Sequence, residues 1–522
     1  MKKRIYSLFI FIAFCVLSDD ANCLDLSWNT PQVTSKNAAS NLGKNLDESK
    51  LLVNRTHEIL INESELDFAL LPLTNLKKTI KKFLFDEDDE SKFLDYQTPD
   101  KIERSPLSSW MHPSNVPLKS LLQISLLTGC DFVAKNNEKY CFVYYGTKLS
   151  GYISQRLFFY SYWWAGHFGG DMDYARTSKL IDSWTQASDD EDKIHLDNIT
   201  GKITYIGRGN FWSISIGRGK YEIGSNIGGS VILSDNCNDY GYFSSKLNFN
   251  KLSISIMHAN LIPDSTITKG TKDLPDKYLV IHKIDWKPNS KYHLFWGEHV
   301  IYGNRNIEPG YLLPQTLMRA VEHNLHDRDN VLIFIGLNYK PVPKNIVYFN
   351  FMIDELKKSE ILGDWWGNKY AFQIGNAYTF AGDKEAILTL EFTAVRPWMY
   401  THNVMYNKFS HDDISLGFPQ GSNLIQYALE FNCMLKKRLN FNIHGSYTRQ
   451  GSIGNTFYIN YDDRPSDTAK WLEGDISNRF QVSPVFTWQP LSHHKLKIGM
   501  NISQTDNDNS EEEFMISYQA IY

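Results

Sequence analysis

The strongest constraint on the fold is a strict alternation of side-chain types over residues 513–522. A period of two places alternate residues on opposite faces of a β-strand. Aromatic residues on one such face suit the lipid-facing wall of an outer-membrane barrel, which carries aromatic girdles. An ordinary amphipathic edge strand of a soluble domain would alternate in the same way, so this stretch alone leaves both folds open. The apolar and aromatic set comprises Phe514, Ile516, Tyr518, Ala520 and Tyr522.

The lengths of the connections between predicted strands favour the barrel. Outer-membrane barrels have short periplasmic turns and longer outer loops, so short and long connections must alternate in a fixed phase. A soluble sandwich has no reason to keep that phase. The sequence therefore predicts an all-β fold, a large outer-membrane β-barrel of about 16–18 antiparallel strands over residues 136–522. Short turns are predicted at 490–495, 436–438, 381–385 and 250–251, and long segments at 449–479, 396–424, 355–370 and 298–330.

The first 135 residues differ from the rest. Residues 1–18 show a basic start followed by an apolar run, which is typical of a secretory signal peptide. Residues 19–135 are polar, and the apolar residues of Leu71–Leu84 and Val116–Thr128 have helical spacing. We expect a small, partly helical periplasmic segment here, and a loosely ordered linker is the alternative.

Catalytic and metal-binding patterns are weak. The net charge of −5 provides no strong field for nucleic acid. No nucleophile-elbow, zinc-protease or phosphate-binding motif is present, so the sequence predicts no enzyme and no cofactor. His323 and His326 have a spacing that allows metal ligation, but they lack a clear third ligand, so we expect no metal. Cys130 and Cys141 could bridge neighbouring segments in an oxidising compartment.

The stretch Glu391–Asn423 carries a family resemblance. It contains Arg396-Pro397-Trp398, Tyr400-Thr401-His402 and Phe409-Ser410-His411, and it ends on Pro419-Gln420-Gly421-Ser422-Asn423. Together with Phe295–Tyr339 and Asp354–Gly375, these motifs resemble the capsule-assembly Wzi family of outer-membrane proteins. The resemblance implies a barrel of about 18 strands that holds exported polysaccharide at the cell surface in a lectin-like way. A role in surface adhesion or gliding motility is a closely related alternative.

Several residues in the predicted outer loops suit sugar binding, because sugars stack on aromatic rings and exchange hydrogen bonds with amides, carboxylates and histidines. The same aromatic residues could instead belong to the interfacial girdle. The polysaccharide candidates are Trp365, Trp366, Arg396, Trp398, Tyr400, His402, Asn403, Tyr406 and His411, with Tyr458, Tyr461 and Trp471 as a further aromatic set.

Four ionisable residues are predicted to form ion pairs that tie loops together inside the lumen. They are Arg319, Glu322, Asp354 and Glu391. Leu313–Leu325 has helical spacing, and we expect it either to block the lumen or to cap it as a solvated helix.

The predicted function is that of a monomeric outer-membrane protein whose partners are surface polysaccharide and membrane lipid, without nucleic acid. A transport channel and a barrel hydrolase are the alternatives.

Overall fold

A computed structural model describes most of the chain from residue 120 onwards. The predicted signal peptide and residues 19–119 lie outside the described residues. Among the helices that are described, none is long and apolar enough to cross a bilayer. The described ranges are 120–153, 156–178, 180–181, 185–190, 193–207, 211–264, 275–360, 363–380, 386–436, 438–491, 494–506 and 510–522.

The chain folds into antiparallel strands joined mainly to their sequence neighbours. The strands are β1 Ser120–Lys135, β2 Glu138–Ile153, β3 Leu157–Gly170, β4 Thr185–Asp190, β5 Lys193–Ile206, β6 Trp212–Gly219, β7 Tyr240–Phe249, β8 Leu252–Leu261, β9 Lys277–Asn289, β10 Tyr292–Gly303, β11 Asn330–Val342, β12 Asn345–Glu355, β13 Lys369–Phe380, β14 Ala386–Val395, β15 Ser410–His411, β16 Ile414–Ser415, β17 Leu424–Lys436, β18 Leu439–Gly451, β19 Ile476–Trp488, β20 His494–Thr505 and β21 Glu511–Ile521.

Two short α-helices lie in connections between strands. They are α1, Met172–Arg176, and α2, Met318–Asn324. Short 3-10 helices span Pro309–Leu312, Lys358–Glu360, Met405–Asn407 and Tyr461–Asp463.

The sheet closes on itself into an 18-stranded barrel because β1 pairs with β21. The register runs from Leu127 opposite Ile521 to Lys135 opposite Glu513. Strand β4 is not one of the 18 strands of the ring and pairs only with the first residues of β5. Strands β15 and β16 form a separate hairpin within a loop. Closure leaves no unpaired strand edge in lipid. The predicted fold class is confirmed, and the strand count falls at the upper end of the predicted range.

Alternate residues face lipid and lumen, as the sequence pattern predicts. In β21, Phe514 and Tyr518 lie opposite Ala134 and Cys130, on the outer face of the wall. The same outward face carries exposed large apolar residues around the whole barrel, since an apolar band is what a lipid environment selects. Examples are Trp163, Ile216, Phe243, Trp296, Ile335, Leu390, Tyr427, Phe480 and Phe486.

Short turns and long loops occupy opposite ends of the barrel, and the predicted phase is confirmed. One end, which we call the turn end, has tight connections such as the Asn250-Lys251 turn between β7 and β8. The other, the loop end, carries the long connections 220–239, 304–329, 396–423 and 452–475. By the rule for outer-membrane barrels the loop end faces outside and the turn end faces the periplasm.

Two predicted boundaries need correction. The barrel begins at Ser120 and not at residue 136, and residues 120–128 of the predicted helix Val116–Thr128 belong to β1. The apolar residues there fit helical spacing, but pairing with β2 along the whole strand overrides that preference. The predicted strand Tyr152–Trp164 is two elements, since β2 ends at Ile153 and β3 begins at Leu157.

Two separate apolar clusters fill parts of the barrel interior. One lies against β1, β2, β3 and β5, where inward aromatics such as Phe142 and Phe168 pack against α1. The other lies against β7–β14 and includes residues of two long loops. Cys130 and Cys141 lie on the lipid-facing side of β1 and β2 with free thiols whose sulfur atoms are 2.9 Å apart, so a bridge between them stays a prediction.

Candidate functional site

The loop formed by residues 220–239, which we call the inner loop, crosses the lumen. It leaves the wall at β6, the fifth strand of the ring counted from β1, and reaches β14, the thirteenth of 18. The Ile227 N–H donates to the Glu391 carboxylate of β14 at 3.0 Å. The side-chain amide of Gln373 in β13 donates to the Gly229 carbonyl at 3.0 Å. Because these strands lie almost opposite β6, the inner loop spans the barrel from wall to wall.

A second long connection, residues 396–423, covers the inner loop from the outside, and we call it the cover loop. The Tyr400 hydroxyl donates to the Val231 carbonyl at 2.9 Å. The Ser234 N–H donates to the Leu416 carbonyl at 2.8 Å. The two loops share an apolar core, whose fully buried members are Val231, Ile232, Leu233, Met399, Phe409, Leu416 and Phe418.

The cover loop is also fixed to the neighbouring strand ends. Ser410 accepts a 2.8 Å hydrogen bond from the Lys277 ammonium and donates one of 2.8 Å to the Asp264 carboxylate. On the opposite side, the Lys408 ammonium donates to the Tyr458 carbonyl at 2.8 Å. The inner loop and the cover loop therefore form one packed layer across the lumen near the loop end.

Four predicted sugar-binding residues are buried in this layer. Arg396 donates to the carbonyls of Asn368 and Ala469 at 3.2 and 2.9 Å, and burial lowers its pKa. Trp398 is only 3% exposed, and Tyr400 is bonded to the inner loop. His411 is buried as well. These side chains connect loops, so a glycan cannot stack on them while the loops are packed.

Two histidines of the cover loop are held in the neutral form. The Nδ1 atom of His411 accepts the Ile262 N–H at 2.9 Å, which requires a neutral ring. Burial, together with nearby Lys277 and Arg218, lowers the pKa of His411 to about 3. Burial likewise lowers the pKa of His402 to about 4.

The remaining aromatic candidates meet at the outer surface. We call the cluster of Trp365, Trp366, His402, Tyr461 and Arg464 the aromatic rim. The ring centres of Trp366 and Tyr461 are 4.9 Å apart, and those of His402 and Tyr461 are 6.5 Å apart. The Arg464 guanidinium lies 4.1 Å from the centre of the Trp366 ring. The rim aromatics are half-buried, which leaves part of each ring accessible from outside.

Backbone pairing between two loops keeps the rim in place. The Trp366 N–H donates to the Asp467 carbonyl at 3.1 Å, and the Ala469 N–H donates to the Asp364 carbonyl at 2.7 Å. Sequence reasoning found Trp365, Trp366 and Tyr461 separately. It missed Arg464, because Arg464 contacts Trp366 only through the pairing of two loops that are distant in sequence. Of the other candidates, Asn403 is exposed and Tyr406 is half-buried in the cover loop.

Of the four residues predicted to form lumen ion pairs, Asp354 forms one, and Glu391 is held by hydrogen bonds. Asp354 lies 3.1 Å from the Lys369 ammonium and also accepts the Tyr400 N–H at 2.9 Å. Glu391 receives hydrogen bonds from the Tyr348 hydroxyl and the Ile227 N–H and binds the inner loop in that way.

Arg319 and Glu322 pair with each other, but the structure corrects their location. Helix α2 packs on the outer face of the wall, so this pair lies outside the barrel, and α2 neither blocks the lumen nor caps it. His323 Nδ1 lies 2.9 Å from Asp327. Within the described ranges, no cluster of three or more histidine, cysteine or acidic residues could hold a metal ion.

Comparison with known proteins supports the fold. No protein-family model matches the chain, and no curated protein matches it. The chain is similar to the solved structure of Wzi, an outer-membrane protein involved in group 1 capsule assembly in Escherichia coli and described as a carbohydrate-binding β-barrel. That similarity has a TM-score of 0.54 at 10% identity and covers 95% of this chain and 99% of that one.

Two further solved structures, from other species, are similar at lower scores. For Pseudomonas aeruginosa OprD the TM-score is 0.43 at 10% identity, over 77% of this chain and 95% of that one. For Acinetobacter baumannii OccAB4 it is 0.43 at 10% identity, over 79% and 100%. The likeness to Wzi shows the fold alone, and it agrees with the lipid-facing band: this chain is a β-barrel of the outer membrane.

Proposed function

We propose that this protein binds surface polysaccharide through the aromatic rim, without catalysis, and that it belongs to the Wzi family. The observation that carries the proposal is the rim itself: partly accessible indole and phenol rings on loops that are cross-bonded to one another. The fold shared with Wzi and the sequence motifs of Glu391–Asn423 support the family assignment.

The chemistry of the rim suits a sugar chain. The C–H faces of sugar rings pack on indole and phenol rings, and such aromatic contacts contribute about 0.5–1.5 kcal/mol each beyond area burial. Trp366 and Tyr461 present their rings side by side, and the Arg464 guanidinium and the exposed Asn403 amide supply donors nearby. Because the loops are already bonded to each other, little further ordering is needed when a ligand binds.

The test is a direct binding measurement on purified protein in detergent. A glycan array identifies a bound polysaccharide, and titration of that polysaccharide then compares wild type with the double variant Trp366→Ala/Tyr461→Ala. Loss of two stacking rings should weaken binding about tenfold or more. Unchanged affinity of the double variant would remove the rim as the site.

The matched control is Trp296→Ala. Trp296 is an exposed tryptophan too far from the rim to touch its ligand, because it lies on the lipid-facing wall of β10. Binding by this variant should equal that of wild type. Variants of Trp398 or Tyr400 are poor tests, because these buried side chains support the packing of the cover loop and their loss would disturb the whole surface.

A transport channel is the second candidate, because one side of the lumen is polar and partly open to solvent. The inward residues of β18–β20 are only partly buried. Conductance of the wild-type protein in planar bilayers tests this function, since a channel conducts ions and a closed barrel does not. The half-buried inward residues are Asn442, His444, Gln481, Ser483, Lys497 and Asn501.

A further inference from the structure

The connection between β10 and β11, residues 304–329, lies on the outer face of the barrel, and we call it the outer-wall segment. In β10 the residues that share a face with the exposed Trp296 point outwards, and these include Val300 and Tyr302. In β11 Val331 shares a face with the exposed Ile333. Val300, Tyr302 and Val331 are nevertheless buried, because Tyr311 and Met318 of the segment pack on them.

The wall beneath the segment carries polar groups that lipid could not satisfy. The ring nitrogens of His282, which faces outwards from β9, lie 2.9 and 3.3 Å from the carbonyl oxygens of Tyr311 and Thr316. Glu298, which faces outwards from β10, accepts the Met318 N–H at 2.5 Å. An unsatisfied polar group in the hydrocarbon region costs several kcal/mol. This part of the wall is therefore built to be covered by the segment.

The segment is a folded unit and not a loose loop. Tyr311 is fully buried, and its hydroxyl donates to the Asp329 carboxylate at 2.7 Å. The Arg305 guanidinium binds the same carboxylate through two nitrogens, at 2.7 and 2.6 Å. The hydroxyl of Tyr302 also accepts the Glu308 N–H at 3.1 Å.

The covered wall lies at the depth of the membrane. Tyr292, at the turn end of β10, stacks on Tyr339 of β11 with ring centres 4.7 Å apart, as expected of an interfacial girdle. A transmembrane strand needs about 9–11 residues to cross the hydrocarbon. Counted upwards along β10 from Tyr292, that distance reaches Val300 and Tyr302, the residues under the segment. The segment therefore reaches the level of the outer leaflet.

Four large apolar side chains of the segment are exposed. Ile307 is 48% exposed and Leu317 is 70% exposed, and Leu312 and Leu313 between them are exposed as well. Trp296 and Ile335, on the two strands that the segment joins, belong to the exposed lipid-facing band. We infer that the outer-wall segment is embedded in the outer leaflet of the membrane, where Ile307, Leu312, Leu313 and Leu317 contact lipid acyl chains.

Burial of this patch in lipid also explains the charge beside it. Arg319 in α2 is exposed and lies two residues after Leu317. Long cationic side chains next to an apolar patch extend towards the lipid headgroups. The segment thus covers a stretch of the strand wall and presents its own apolar side chains to the lipid.

Photo-crosslinking tests the inference on the full-length protein in vesicles of palmitoyl-oleoyl phosphatidylcholine. The photoreactive residue p-benzoylphenylalanine replaces Leu313 or Leu317, and mass spectrometry measures the adduct formed with lipid acyl chains. The same replacement of Trp296 is the lipid-facing control. Replacement of Tyr458, which is exposed in the loop 452–475, is the solvent control. We expect adduct yields at 313 and 317 that match position 296 and exceed position 458 at least fivefold.

Two results would overturn the inference. Lipid adducts at 313 and 317 no more abundant than at 458 would place the patch in water. Crosslinks to a second copy of the chain in place of lipid would make the patch a protein interface. Heat-modifiable gel mobility shows that each variant is folded, and the Leu313 and Leu317 side chains are exposed enough to be replaced without loss of packing. The aromatic rim takes no part in this test, so its outcome is independent of polysaccharide binding.

Discussion

The inner loop and the outer-wall segment leave the same end of the barrel and fold to opposite sides of its wall. The inner loop enters the lumen and bonds to polar inward side chains such as Glu391 and Gln373. The outer-wall segment turns outwards and packs on Val300 and Tyr302. Both contain fully buried residues, so neither is a solvated loop. The difference shows that the chemistry of the two wall faces, and not loop length, decides where a long connection goes.

The two regions also reach close packing by different means. In the inner loop, Gly229 has a φ of +109°, and a Cβ atom there would lie 2.3 Å from the Pro419 ring of the cover loop. The missing side chain lets two backbones approach each other. The outer-wall segment instead uses the large ring of Tyr311 and a short helix to fill the space over the wall.

The largest expected effect comes from Tyr311→Ala, which should detach the outer-wall segment. The cavity left by a buried aromatic ring and the loss of the hydrogen bond to Asp329 should destabilise its packing by about 4 kcal/mol. Hydrogen exchange of backbone amides in residues 304–329 should accelerate about a thousandfold, while exchange in the inner loop stays unchanged. Gln315→Ala is the control, because its side chain is exposed and lies outside the apolar patch. Equal acceleration in both loops would mean that the two regions are coupled.

The next effect concerns the inner loop. Gly229→Val should push the inner loop and the cover loop apart, because a β-branched residue is strained at this φ and meets Pro419. We expect a loss of about 3 kcal/mol in loop packing. Ion conductance in planar bilayers should rise, while the outer-wall segment stays protected.

Gly241→Val is the matched control for that variant. Gly241 lies in β7, and an added Cβ atom there meets nothing within 4 Å. Conductance should equal that of wild type. If Gly229→Val also leaves conductance unchanged, the inner loop does not close the lumen.

The barrel was predictable from the sequence because its signals are local. Side-chain alternation in residues 513–522 follows from the geometry of a single strand, and the order of short and long connections can be counted along the chain. The start of β1 was missed for a related reason. The apolar residues of 120–128 fit helical spacing, and only pairing with β2 decides their structure.

The candidate site was less predictable, because burial of loop residues depends on contacts distant in sequence. Trp398 and Trp366 look equivalent as aromatic residues of outer loops, yet Trp398 is buried and Trp366 is partly accessible. The sequence does contain a signal that the outer-wall segment packs on the outer face. His282 and Glu298 are polar at outward positions of their strands, where direct contact with lipid would be costly. Polar residues at positions where the alternation of β9 and β10 calls for apolar ones therefore indicate the part of the wall that is covered.

The smallest expected effect is a response to pH in the cover loop, for which the outer-wall segment serves as the reference. The unfolded pKa of histidine is near 6.5, and that of His411 in the folded cover loop is about 3. Stability from its neutral ring is thus present above pH 6.5 and is lost as the pH falls towards 3. Between pH 7 and pH 5 the cover loop should lose about 2 kcal/mol, or about a thirtyfold rise in exchange after correction for intrinsic rates.

The outer-wall segment contains no part of the His411 site, so hydrogen exchange in residues 304–329 reports any general effect of acid on the barrel. The variant His411→Gln keeps an acceptor for the Ile262 N–H but cannot be protonated in this range. It should remove the pH response of the cover loop and leave that of residues 304–329 unchanged. If His411→Gln keeps the wild-type pH response of the cover loop, acid acts on the barrel as a whole and not through His411.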